Sequence, residues 1–106
     1  MAVSFYIAAD ADRATRTPSV GTFDEVIQRQ IFLRNELDGT DFPLVQRLRD
    51  RYEDAQYLTG ELPGQIAELR PLAEDSNPTI SRHLRVIALI AERTRETEQA
   101  LFCFAD

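Results

Sequence analysis

The chain has 106 residues, 43% of them hydrophobic and 28% charged, the balance of a globular domain and not of a disordered, collagen-like or disulfide-rich chain. Eighteen acidic side chains against 12 basic ones leave a net charge of −6. Such a surface repels phosphate backbones and anionic membranes and steers a basic protein partner toward it. All 12 bases are arginine, which excludes Schiff-base, lysine-nucleophile and P-loop chemistry.

This length predicts one hydrophobic core and one domain, residues 1–106. Cys103 is the only cysteine, so neither an intrachain disulfide nor a cysteine-rich metal site can form. The apolar run 3–9 has no basic stretch before it and runs into Asp10 and Asp12, unlike a signal peptide. The longest wholly apolar run, 86–91, is far too short to span a bilayer. A cytoplasmic protein without nucleic-acid or membrane contacts is expected.

In chain order, residues 2–9 alternate β-branched and aromatic side chains, with Val3, Phe5 and Ile7 on one face and Ala2, Ser4, Tyr6 and Ala8 on the other, the pattern of a strand. Residues 10–21 read as a loop broken by Pro18 and Gly21. Thr22 and Glu25 have capping-box spacing, and Phe23, Val26, Ile27, Ile31 and Leu37 follow at helical intervals. Gly39 is placed to stop that helix. Pro43 opens a second helical segment carrying Leu44, Val45, Leu48 and Tyr52. A short strand is expected at 55–58, and Thr59 is placed to cap the next helix. There Leu62, Ile66, Leu69 and Leu72 or Ala73 form one face, and Pro71 forces a kink or an end. Asp75 to Pro78 signals a turn and N-cap. A long helix then runs from Pro78 to about Gln99, with Ile80, Leu84, Ile87, Ala88 and Ala91 on one face. Val86, Leu89 and Ile90 widen that stripe and predict a central position. Residues 100–106 read as a buried terminal strand. The expected fold is therefore α/β of the α+β kind: a small sheet of two to three strands that includes both termini, packed by three to four helices.

Catalytic constellations are thin. His83 and Cys103 are the only candidates for a nucleophilic pair, but Cys103 sits between two phenylalanines in a core strand, which makes a thiol inert. One histidine and one cysteine cannot supply a zinc tetrad. The Asp10-x-Asp12 pair is not followed by a calcium-loop pattern. No cofactor and no metal is expected. Asp10 and Asp106 would meet as a carboxylate pair beyond the strand ends only if the two terminal strands ran parallel. The densest polar cluster spans 47–57. Its Asp50, Tyr52, Glu53, Asp54 and Tyr57 carry the residue mixture of protein–protein hot spots, and the interleaving of Arg47 and Arg51 with Asp50 and Asp54 on a helix also suits local ion pairing. Asp10 and Asp12 form a second candidate contact patch.

The strand at 2–9, the middle segment FPLVQRLRDRYEDAQYLTGELPGQIAEL (42–69) and the apolar end Phe104-Ala105-Asp106 together resemble, in general plan, small acidic bacterial proteins, some of them similar to immunity proteins of polymorphic toxin systems. That resemblance implies a non-enzymatic protein that occludes a basic toxin domain, and it carries over no individual residue. A homodimeric regulatory or structural subunit, paired through a sheet edge or a helix face, is the alternative. A small ligand-binding domain or carboxylate enzyme stands third.

Overall fold

The computed structural model describes residues 2–34, 43–48, 54–74 and 77–105. Four strands, β1 (Ala2–Ala8), β2 (Gly21–Asp24), β3 (Ala55–Tyr57) and β4 (Ala100–Ala105), form one antiparallel sheet in the order β2-β1-β4-β3. Four helices accompany it: α1 (Ala11–Ala14), α2 (Glu25–Arg34), α3 (Leu62–Leu72) and α4 (Pro78–Glu96), with 3-10 turns at Val45–Leu48 and Thr59–Glu61. The fold is α+β as expected, but the sheet has four strands, not two to three.

The fourth strand comes from the segment expected to start a helix. Thr22 caps nothing: it pairs with Ser4 across β1 and β2. The helix start moves two residues on, where the Asp24 carboxylate accepts from the Val26 and Ile27 amides at 2.8 and 3.3 Å. Phe23 consequently faces the core from a strand. Gly21 permits this pairing, because a Cβ there would meet Ile90 Cδ1 at 2.9 Å. Val26, expected in the core, is 61% exposed, while Gln28 is buried and its amide donates to the Leu48 carbonyl. The loop expected at 10–21 holds α1, capped by Asp10, which accepts from the Arg13 amide at 2.8 Å. Leu37, Gly39 and Tyr52 lie outside the described residues.

The two faces of β1 separate as its alternation requires. Val3, Phe5 and Ile7 join Phe23, Tyr57, Leu101 and Cys103 in the main core beneath α3 and α4, which contribute Leu62, Ile66, Leu69, Ile80, Leu84, Ile87 and Ala91. The opposite face gathers Ala8, Ala100 and Phe102 with Ala14 of α1, flanked by half-buried Tyr6 and Phe104. Pro71 falls in the last turn of α3, and the helix ends one residue later, at Leu72. There the proline removes the hydrogen bond that an amide at 71 would make to the Ala67 carbonyl, which suits a helix about to end. Asn77 caps α4 by accepting from the Thr79 and Ile80 amides at 2.9 and 3.4 Å. At the other end α4 stops at Glu96, with Thr97 as C-cap. Glu98 turns the chain at φ 57°, its amide donating to Arg95 and that of Gln99 to Thr94, a Schellman-type stop with glutamate where glycine is preferred. No described helix is long and apolar enough to cross a membrane.

Candidate interaction surface

The hot-spot segment divides. Asp50, Tyr52 and Glu53 lie outside the described residues. Asp54 is exposed just before β3. Tyr57 is fully buried, so it is a core residue and not a surface anchor. Its hydroxyl donates to the Leu44 carbonyl at 2.5 Å, and burial pushes its phenol far above the ordinary value. Strand alternation decides this, since Ala55 and Tyr57 point inward once β3 pairs with β4.

Arg47 covers that ring with its guanidinium 5.3 Å from the centroid. It donates to the Gln56 carbonyl at 2.9 Å and to the Glu61 carboxylate. The hydrogen bond from Arg47, with a second from the Leu58 amide, holds Glu61 below the usual carboxylate range. Glu68 of α3 accepts from the Leu44 and Val45 amides, each at 3.0 Å. Where it is described, the cluster is thus a brace tying the 45–48 turn to β3 and α3, with Arg47, Tyr57, Glu61 and Glu68 engaged within the chain.

Asp10, the cap of α1, and Asp12 within it are exposed and paired locally, with Arg13 at 3.8 Å and Arg16 at 3.6 Å respectively. They do not adjoin Asp54. Asp54 lies level with Phe104, and Asp10 lies beyond the Ala8–Ala100 pair at the other end of the sheet, about 20 Å away at strand rise. The carboxylate-pair reading fails on direction: β1 and β4 are antiparallel, so the ends after Ala8 and Ala105 leave opposite edges, and Asp106 lies outside the described residues. Cys103 is completely buried and its thiol is pushed well above the ordinary value by that burial. His83 Nδ1 lies 2.8 Å from the Thr79 carbonyl and donates to it, since a carbonyl only accepts.

The surface that sequence reasoning missed is the outer face of α4. Ile90 is buried as expected, but Val86 and Leu89 are 47% and 63% exposed, so they belong to no internal stripe. At about 3.6 residues per turn, Arg82, Arg85, Arg93 and Glu96 share this face with them, all exposed. Clefts flank the helix on both sides. One, of about 200 Å³, has Phe5, Ile87 and Ile90 at its floor and Thr22, Arg82, His83 and Val86 around it. The other, of about 470 Å³, lies between α3 and α4 and is lined by Ala73, Ala88 and Leu89, with Arg70, Glu74, Arg85 and Glu92 around them. Arg70 and Glu92 are 3.4 Å apart across it. The available signal was the interruption of the apolar stripe by arginines at 82, 85 and 93. A ridge with a groove on either side is the geometry into which another helix packs. Comparison of the chain with protein-family models, with curated proteins and with solved structures returns no match.

Proposed function

We propose that this chain is a non-enzymatic, cytoplasmic protein-binding protein whose contact element is the outer face of α4. The observation that carries the reading is the pair of apolar side chains Val86 and Leu89, about half or more exposed in the middle of the longest helix. Arg82, Arg85 and Arg93 flank them, and Arg is enriched in protein interfaces, whose cores bury apolar side chains. The 47–57 brace spends its arginine and tyrosine internally, which leaves α4 as the better-equipped described surface. The test is affinity capture from host lysate with wild-type and Leu89→Asp baits of equal thermal stability. A stoichiometric partner lost with the variant supports the placement, and equal capture by both baits refutes it.

The net charge of −6 favours, as a second reading, an immunity-type inhibitor that occludes a basic toxin domain by electrostatic steering. Asp54 is then the described contact at the sheet end, and Asp54→Arg slows association with that domain. An unchanged association rate at low salt removes this reading.

A further inference from the structure

We propose that the partner of the α4 face is a second copy of this chain, with α4 packed antiparallel on its copy about a two-fold axis at Leu89. The proposal rests on the functional reading above and names its occupant. The order of charges along the helix suits a copy of itself. A two-fold axis at Leu89 brings position 82 level with 96 of the copy and the adjacent pair 85 and 86 level with 92 and 93, because an isologous interface pairs i with j and j with i. On the helical wheel 85 and 92 lie to one side of Leu89, and 86 and 93 to the other. The facing pairs are therefore Arg82 with Glu96, Arg85 with Glu92, and Val86 beneath the aliphatic stem of Arg93, each made twice. Leu89 meets its own copy, with Ala73 and Ala88 leaving the groove open for it.

Charge also argues against a partner of one sign. Two chains of net charge −6 repel unless the joining patch is locally balanced, and the α3–α4 groove is balanced: Arg70 and Arg85 face Glu74 and Glu92. A basic toxin or an acidic peptide would meet half of these charges unfavourably, whereas an antiparallel copy sets Arg85 against Glu92. The sheet edges offer less, since β2 and β3 are only four and three residues long. One helix pair with its α3 flanks sits at the small end of specific interfaces, so the expected Kd is about 10 to about 100 µM.

Sedimentation equilibrium of the full chain from about 1 µM to about 0.5 mM tests this range. The wild type should show a monomer–dimer equilibrium, and Leu89→Asp should weaken it at least tenfold by setting two carboxylates on the axis. Arg82→Glu should weaken it several-fold, and the double variant Arg82→Glu/Glu96→Arg should recover it. Arg13→Glu, with the same change in net charge on remote α1, should leave it nearly unchanged. A monomer throughout the range, a dimer indifferent to Leu89→Asp, or a double variant no better than the single one overturns the proposal. A monomeric wild type whose lysate partner is nevertheless lost with Leu89→Asp overturns self-pairing and leaves the protein-binding reading standing. If Leu89→Asp changes neither measurement, both fall.

Discussion

Replacing Tyr57 with phenylalanine removes one oxygen from the centre of the brace while leaving the ring under Arg47. The hydroxyl donates to the Leu44 carbonyl at 2.5 Å, and Tyr57 itself is fully buried. A neutral hydrogen bond contributes about 0.5–1.5 kcal/mol net, and a buried carbonyl left without a partner costs about 1–3 kcal/mol. Leu44 is only half buried, so water recovers part of the second term and the expected loss is about 1–2 kcal/mol. For a chain of this size that lowers Tm by roughly 5–15 °C. The pH dependence gives a sharper check. Burial raises the folded-state phenol above its ordinary value of 10.0. The contribution of this group is therefore fully present below pH 10, and it is lost as pH rises and the unfolded chain ionises first. The loss approaches about 1.4 kcal/mol per pH unit, and phenylalanine has none. Urea unfolding with unchanged m-values should show the wild type ahead of Tyr57→Phe at pH 7–9 and the gap closing near pH 11. A variant equal to wild type at neutral pH, or a gap constant from pH 9 to 11, would show that the buried hydroxyl does not contribute in this way.

Gln65 is fully buried in α3, and neither its Nε2 nor its Oε1 has a hydrogen-bond partner among the described residues. Gln65→Met, close in volume, should raise stability by about 1–2 kcal/mol, read as an upward shift of Tm. Asp24→Ala should cost about 1 kcal/mol by uncapping α2, whereas Thr22→Ala, on the exposed edge strand, should cost clearly less. Equal losses in urea titration would restore Thr22 as the cap. Glu98→Gly should stabilise the chain by up to about 1 kcal/mol, because glycine relieves the left-handed conformation that ends α4. A lowered Tm would count against that account.

Local pattern was enough wherever one residue and its near neighbours decide the outcome. Alternation at 2–8 placed β1 and sorted its two faces, helical spacing placed α3 and α4, Asn77 marked a helix start, and the apolar 100–105 run became β4. Asymmetric packing and strand pairing act between distant segments, and no local period encodes them. Thr22-Phe23-Asp24 fits a capping sequence and a strand equally well, and only the ladder with Val3 and Ser4 chose the strand. Tyr57 reads as a surface hot spot beside its charged neighbours, and pairing of Ala55 with Cys103 turned it inward instead. Val86 and Leu89 fit an apolar stripe in sequence. Yet α3 and the sheet reach only one side of α4, so Ile87, Ile90 and Ala91 are covered while Val86 and Leu89 face out. Composition and periodicity by themselves determined the α+β class, the terminal strands and the amphipathic helices, because these follow from interactions within a few residues. The fourth strand, the inward turn of Tyr57 and the exposed face of α4 were decided by tertiary structure, since each depends on which distant segment reaches the side chain first.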